Sequence, residues 1–227
     1  MDSHFRTELD LLKQRLLTMA YHAEMAVSRA MQALLKRNDA LALQVKEADN
    51  VIDQFEVEID ELAIQYLTKA PLAADLRLIT IATKIAHNLE RIGDEATQIA
   101  KRAAALCEEP PVQVHLDIST MAGLSLEMLR NALDAFGHRD TALARTVLPR
   151  DKRVDIFNTQ IHRELSQFMA EHPETINRCL HWMVVSKSLE RIADHATNIA
   201  EETVYLYTAQ DIRHTNAKNV APEVLAH

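Results

Sequence analysis

The stretch LERIGDEATQIA at residues 89–100 recurs as LERIADHATNIA at residues 189–200, and nine of the twelve positions are identical. A copy this close within one chain of 227 residues indicates an internal duplication, so we expect the two halves to be versions of one module. Each copy holds two acids four residues apart, Glu90 with Asp94 and Glu190 with Asp194. In a helix this spacing places both carboxylates on one face, one turn apart.

The composition indicates a soluble, strongly helical protein. Only 3 Gly and 6 Pro occur, while 48% of the residues are hydrophobic and 26% are charged. A net charge of −8 and an aromatic content of 4% argue against a nucleic-acid surface. We expect no membrane insertion, because the longest apolar runs are far too short to span a bilayer. The polar start MDSHFRTELD is no signal peptide, and the isolated Cys107 and Cys179 suit a reducing cytoplasm.

Apolar residues at helical spacing predict six long helices. We expect them at residues 5–36, 39–69, 73–105, 114–136, 140–171 and 174–208. Three of these helices should end at prolines, because proline interrupts helical hydrogen bonding. The second ends at Pro71, the third at Pro110-Pro111 and the fifth at Pro173. Short connections make neighbouring helices antiparallel. The sequence therefore predicts an all-α fold of two pseudo-symmetric antiparallel three-helix bundles, at residues 1–109 and 110–214, with a flexible tail at 215–227.

Acidic residues follow one flank of the predicted helices, outside the apolar stripe. On the second helix they recur with the spacing i, i+4, i+7, i+11, as Asp49, Asp53, Glu56 and Asp60. The fifth helix repeats the first two acids as Asp151 and Asp155, in the matching contexts DNVIDQF and DKRVDIF, and has Asn158 and His162 at the next two places. If the second and third helices are neighbours, their acidic flanks converge on one groove, and the fifth and sixth helices repeat the arrangement.

Carboxylates that converge in this way repel one another, and a bound multivalent cation relieves the repulsion. Oxygen ligands suit hard ions, so we expect divalent or trivalent metal: iron, zinc, manganese, magnesium or calcium. The predicted ligands are Asp49, Asp53, Glu90, Asp94, Asp151, Asp155, Glu190 and Asp194. Possible additional ligands are Glu56, Asp60, His87 and His162. The alternative is an ordinary solvated acidic surface, which duplication would also have copied.

No motif for catalysis is present: the sequence has no P-loop, no GxGxxG, no HExxH and no GxSxG. We therefore expect no enzyme and no catalytic residues. Arg91 and Arg191 project outward from the predicted helices, where they either pair with nearby acids or contact a partner. Ala193 replaces the glycine found at position 93, a change that should matter little on a helix.

Several motifs together resemble the PhoU family of phosphate-specific transport accessory proteins. They are LERIGD and LERIAD, the two DxxxD elements, PLAADLR at 71–77 and QDIRH at 210–214. The resemblance implies two three-helix bundles with surface metal clusters at the positions above. It also implies a cytoplasmic regulator that couples the phosphate ABC transporter, through its ATPase subunit, to the sensor histidine kinase of the phosphate two-component system. The regulation is negative when phosphate is plentiful. We further expect a homodimer.

Three other readings of the sequence stay open. A carboxylate-rich metal-binding bundle with no transport link would carry the same acidic pattern. A plain helical interaction module would carry it without metal. A ferritin-like oxidase is disfavoured, because its sites need inward-facing Glu-x-x-His pairs, and the acids here lie off the core.

Overall fold

The computed structural model describes residues 3–69 and 72–213 of the protein, and within them every regular element is helical. The seven α-helices are α1 (Ser3–Lys36), α2 (Asp39–Leu67), α3 (Ala73–Glu108), α4 (Ile118–His138), α5 (Thr141–Val147), α6 (Asp151–Glu171) and α7 (Ile176–Thr208). Short 3₁₀ turns at Leu148–Arg150 and Pro173–Thr175 precede α6 and α7.

The helices form two pseudo-symmetric antiparallel three-helix bundles, which confirms the predicted fold. α1, α2 and α3 pack together as the first bundle, while α4, α5–α6 and α7 form the second. The predicted helix at 140–171 is interrupted, because Pro149 lies in the 3₁₀ turn that joins α5 to α6. Proline is tolerated there as an early residue of a helical turn, where its missing N–H is not required.

The two halves begin their second helix in the same way. Arg37 and Arg139 adopt the left-handed conformation, with φ of 50° and 59°, and end α1 and α4. Asn38 then caps α2 by accepting a hydrogen bond from the Leu41 amide, and Asp140 likewise caps α5. Gly137, two residues before Arg139, is still part of α4, although glycine is the residue type that most often ends a helix.

An extended segment joins the halves, so α4 begins at residue 118 and not at 114. Pro110 and Pro111 exclude a helix at its start, and Val112 packs partly buried against the core. Arg178 of α7 donates a 3.0 Å hydrogen bond to the Pro110 carbonyl oxygen. The segment is therefore held to the second bundle by side-chain contacts.

α3 and α7 pack against each other and form the seam between the bundles. Lys84 donates to Glu202 at 3.1 Å, Asn198 to Asn88 at 3.2 Å, and Arg191 to Glu95 at 3.0 Å. Because residue numbers rise along α3 as they fall along α7, the two helices run in opposite directions. The two copies of the repeated motif thus lie on adjacent helices at the centre of the molecule.

No described helix is both long enough and apolar enough to cross a membrane. Two expectations concern residues outside the described ranges: the helix break at Pro71 and the tail at 215–227. Within those ranges α2 ends at Leu67, two residues earlier than predicted.

Candidate metal centre

Gly93 brings α2 and α3 close together at the first acidic flank. A Cβ atom at this position would lie 2.9 Å from Ile52 Cδ1 and 3.2 Å from Asp49 Oδ1. Ile52 is fully buried, so its side chain has little room to move away. An alanine at position 93 would therefore have to displace the end of the Ile52 side chain. The second half has Ala193, together with the smaller Val154 at the place of Ile52.

The converging flanks form what we call the first acid groove: Asp49, Asp53 and Glu56 of α2, and His87, Glu90 and Asp94 of α3. Burial raises the pKa of the Asp49 carboxyl, and the nearby carboxylates of Asp53 and Asp94 raise it further. Thr97 and Lys101 act in the opposite direction. The structure therefore brings together the acids of α2 and α3 that the helical spacing singled out.

Glu90 is the most perturbed acid of the groove. Only 15% of its side chain is exposed. Its Oε2 atom is buried and makes no hydrogen bond of good geometry, although Arg91 Nε lies 3.0 Å away. Burial, followed by the charge of Asp94, raises the pKa of Glu90 to about 7, while Arg91 opposes the shift. A carboxylate in this state gains from any cation that reaches it.

Three side chains at one end of the groove already lie close enough to share an ion. One ligand atom each from Glu56, His87 and Glu90 falls within 4.8 Å of the other two. His87 Nδ1 lies 3.2 Å from Glu56 Oε1. Two residues named from sequence as possible additional ligands, Glu56 and His87, thus form a close set with Glu90. Asp60, a turn further along α2, is exposed.

The second acid groove consists of Asp151 and Asp155 of α6 with Glu190 and Asp194 of α7. Its acids face different neighbours. Glu190 forms an ion pair with Lys187, one turn earlier on the same helix. Thr197 donates a long hydrogen bond of 3.5 Å to Asp151 Oδ1, while Asp155 and Asp194 are exposed.

Two substitutions distinguish this groove from the first. Asn158 takes the place of Glu56 and accepts a hydrogen bond from Ser186. Lys187 occupies the position that corresponds to His87, which lies 100 residues earlier in the first copy of the motif. His162 Nε2 lies 3.3 Å from the Met183 carbonyl oxygen, which suits donation to the backbone. Among the described residues, no second set of three His, Cys, Asp or Glu side chains comes as close as the set around Glu90.

The two motif arginines have different partners, although they occupy equivalent positions. Arg91 stays within its own half, 3.0 Å from Glu90 and 3.1 Å from Asp94. Arg191 crosses the seam to Glu95. Of the two roles that the sequence left open, pairing with nearby acids is the one observed. A role for both in partner binding stays a prediction.

Helical spacing did not point to the buried acids of the seam. Glu95, Glu201 and Glu202 are nearly inaccessible to solvent, and Lys84 and Arg213 contact Glu202. They lie on the faces of α3 and α7 that meet, which a pattern within one helix cannot identify. Lys187, in contrast, was readable from the sequence by aligning it with His87 in the duplicated motif.

The first acid groove fits a metal ion chemically. It offers carboxylates and one imidazole, and the buried oxygen Glu90 Oε2 makes no hydrogen bond of good geometry. A nitrogen ligand favours iron, zinc or manganese over magnesium and calcium, which bind oxygen almost exclusively. An ion here would neutralise repelling carboxylates and connect α2 to α3. The second acid groove fits less well, because it has Lys187 and Asn158 where the first has the side chains of His87 and Glu56, which can bind metal.

Comparison with known proteins accounts for almost the entire chain. The family model described as PhoU domain matches twice, at residues 16–103 and 118–203. A phosphate-specific transport system accessory protein PhoU homolog of Pseudomonas putida is 40% identical over 226 residues, which span 99% of this chain and 88% of the relative. The homolog of the same name from Aquifex aeolicus is 39% identical over 93% of this chain and 96% of its own length.

Two solved structures have the same architecture. The crystal structure of PhoU from Pseudomonas aeruginosa matches with a TM-score of 0.88 and 40% identity, covering 91% of this chain and 100% of that one. The phosphate transport system regulatory protein PhoU from Streptococcus pneumoniae matches with a TM-score of 0.84 and 27% identity, over 92% and 99% of the two chains. The repeated motif, the paired bundles and these matches agree: this chain belongs to the PhoU family.

Proposed function

We propose that the protein is a non-enzymatic regulator of phosphate uptake and of the phosphate-starvation response. In this role it couples the phosphate ABC transporter, through its ATPase subunit, to a sensor histidine kinase, and it restrains both when phosphate is plentiful. The observation that carries the proposal is the match over 99% of this chain to a relative named as a phosphate-specific transport accessory protein. The proposal locates the protein in the cytoplasm, as a homodimer.

The distribution of charge supports an adaptor. The half-exposed Arg91 and Arg191 and the acid grooves lie on the outer faces of rigid helices, where a partner protein can reach them. Side chains on helices keep a fixed spacing, so such a surface can present the same contacts to two partners in turn. The net charge of −8 favours partners with basic docking surfaces.

We also propose that the acid grooves bind metal. The first groove uses Glu90 and Asp94 of α3 with Asp49 and Asp53 of α2, and Glu56 and His87 join it. The convergence of Glu56, His87 and Glu90 supports this assignment. The second groove, with Asp151, Asp155, Glu190 and Asp194, binds metal more weakly, since Lys187 and Asn158 stand where the first groove has the ligands His87 and Glu56. The ion has a structural role: it holds α2 against α3 and sets the charge of the surface.

The regulatory proposal is tested by deleting the gene and measuring starvation-response output and phosphate uptake in phosphate-rich medium. We expect both to rise, and the intact gene to restore them. Affinity purification of the tagged protein should recover the transporter ATPase and the kinase. Unchanged phosphate control in the deletion strain, with neither partner recovered, would refute the proposal.

A metal-binding bundle without a transport link is the second candidate, and the cluster around Glu90 is the observation that favours it. The two candidates differ in the same strain. If the deletion changes metal content or metal resistance and leaves phosphate control intact, the second candidate is correct. If phosphate control is lost, metal binding belongs to the regulator.

A further inference from the structure

A cavity of about 470 Å³ lies away from both acid grooves, where four helices meet. α1 contributes Arg6, Asp10 and Lys13 to its lining, and α3 contributes Asp75 from its first turn. Arg139, the residue that ends α4, completes the polar lining, and residues near the end of α7 supply an apolar wall. The cavity therefore collects three cationic side chains in a chain whose net charge is −8.

The cations in this cavity are crowded. Burial lowers the pKa of the Lys13 ammonium group, and the neighbouring Arg139 guanidinium lowers it further, while Asp10 opposes the shift. Two like charges held together in a partly buried site attract an anion that can contact both. Leu72 at the start of α3 has no side-chain acceptor, so the first N–H groups of this long helix also add positive potential at the cavity.

Asp75 is the second, independent sign of a ligand. Its side chain lines the cavity, the residue is only 6% exposed, and its Oδ2 atom has no hydrogen-bond partner. A buried carboxylate oxygen without a donor is costly, and native proteins rarely leave one unsatisfied. No hydrogen bond or ion pair from the described part of the chain engages the other carboxylate oxygen, Oδ1, so this atom can accept a hydrogen bond from a molecule in the cavity. The occupant must then carry negative charge and also a donor.

Hydrogen phosphate meets both requirements. Near neutral pH inorganic phosphate always keeps at least one proton, so it can donate to Asp75 while its other oxygens accept from Lys13 and Arg139. Sulfate has no proton to donate, and the dianion of a phosphomonoester has none either. We propose that this cavity binds inorganic phosphate, with Lys13 and Arg139 as anion ligands and Asp75 as the acceptor that selects a protonated oxyanion.

The inference deepens the proposed function. Only the purpose of phosphate binding rests on that function: a regulator of phosphate uptake that binds phosphate itself would sense it directly. Binding is measured on the purified chain, so it stands or fails separately from phosphate control in cells. An apolar wall containing Leu206 and Tyr207 leaves part of the cavity unsuited to more charge.

The test is calorimetric titration of the full chain at pH 7 with inorganic phosphate, sulfate and glycerol 3-phosphate in turn. A chelator is present, so that no metal in the acid grooves can hold the anion. We expect phosphate to bind at least roughly tenfold more tightly than sulfate or the monoester, as the loss of a hydrogen bond to a charged group implies. Equal binding of the three anions, tighter binding of the monoester, or no binding of phosphate at millimolar concentration overturns the proposal.

Variants assign the roles. Lys13→Gln should weaken phosphate binding by roughly ten- to a hundredfold, the range expected for one charge-assisted hydrogen bond. The matched control is Lys36→Gln, which removes the same charge from an exposed position on the same helix and should bind as the parent does. If Lys36→Gln weakens phosphate binding as much as Lys13→Gln does, the effect comes from the net charge of the protein, and the assignment of Lys13 is overturned.

Asp75→Asn provides the sharpest readout, because the amide can donate to an unprotonated oxyanion. We expect it to bind phosphate more weakly and sulfate more tightly, so the selectivity narrows or reverses. If Asp75 had a purely structural role, the substitution would weaken the binding of phosphate and of sulfate alike. That result would overturn the assignment of Asp75 as the selecting acceptor. Removing a buried unpaired charge should not unfold the protein, and a thermal melt of each variant checks this. If Asp75→Asn does not fold, Asp75→Ser tests the same selectivity.

Discussion

Lys187 forms an ion pair with Glu190 at the place where the first half has His87 beside Glu90. One copy of the duplicated motif thus has an ammonium group at this position, which cannot bind a metal ion, and the other has an imidazole, which can. The difference between the grooves lies in the residue three positions before the glutamate, not in the glutamate itself.

The first prediction concerns the ligands of the first acid groove. Glu90→Gln and His87→Ala should each reduce metal affinity by at least roughly tenfold, because even residues that only support a metal ligand are worth that much. Elemental analysis and competition with a metallochromic indicator measure the loss. Glu190→Gln is the matched control at the equivalent position. A larger loss with the control than with Glu90→Gln would contradict our ranking of the two grooves.

The second prediction is a gain of binding in the second acid groove. Asn158→Glu combined with Lys187→His restores the two side chains that distinguish the first groove, and it removes the charge that satisfies Glu190. We expect the double variant to bind one further equivalent of metal. Isothermal titration with zinc and with manganese gives the stoichiometry. Unchanged stoichiometry in a folded variant would mean that these two positions do not decide the difference.

The third prediction concerns pH. The pKa of Glu90 is raised from its ordinary 4.5 to about 7, so in the metal-free native state this group binds a proton more tightly than in the unfolded state. Its contribution to the free energy of unfolding is therefore fully present below about pH 4.5 and declines as pH rises to about 7. Metal must displace this proton, so metal affinity should rise with pH up to about 7 and then level.

Urea unfolding at several pH values, with and without metal, measures both effects. Glu90→Gln, which cannot titrate, should flatten the slope of stability between pH 4.5 and 7. A variant with the same slope as the parent would show that another group causes it.

The fold could be predicted almost completely from the sequence, since apolar spacing and duplication determine helices and bundles directly. The break at Pro149 could not, because the apolar stripe continues through it and a single proline is compatible with a bend as well as an end. The left-handed conformation of Arg139 at the end of α4 could not be predicted either. Gly137 lies two residues earlier, and glycine is the residue type that usually adopts this conformation.

The site could be predicted only in outline. Spacing within a helix fixes the flank on which Glu90 and Asp94 lie, but the longitudinal alignment of α2 against α3 depends on how side chains interlock. Here the alignment depends on Gly93, which admits Ile52 and Asp49. That alignment decides that Glu56 comes together with His87 and Glu90.

The fourth prediction tests this close contact. Gly93→Ala gains roughly 1 kcal/mol of helix propensity and loses roughly 1–3 kcal/mol to overpacking against Ile52. In an Ile52→Val background the nearest atom is removed, as in the second half, where Ala193 and Val154 occur together. We expect a coupling free energy of about 1 kcal/mol or more in a double-mutant cycle, measured by urea unfolding. Simple additivity would mean that the two residues do not limit each other.

The fifth prediction concerns the seam. Arg191→Met leaves Glu95 largely buried without its partner and should lower the free energy of unfolding by about 1–2 kcal/mol, less than for a fully buried pair because Arg191 is half exposed. Arg91→Met, the control at the equivalent position, should lower it less, because Asp94 is half exposed and Glu90, with a pKa of about 7, can take up a proton. Equal losses would remove the distinction between the two arginines.

The two copies of the duplicated motif also make different contacts across the seam. Position 95 carries a glutamate that contacts Arg191, whereas its counterpart His195 contacts Asn88 at 2.9 Å. A chain assembled from two second halves would set an imidazole against each arginine and lose the contact between Arg191 and Glu95. The two halves are thus no longer interchangeable. A chain of two second halves should be less stable than the natural arrangement.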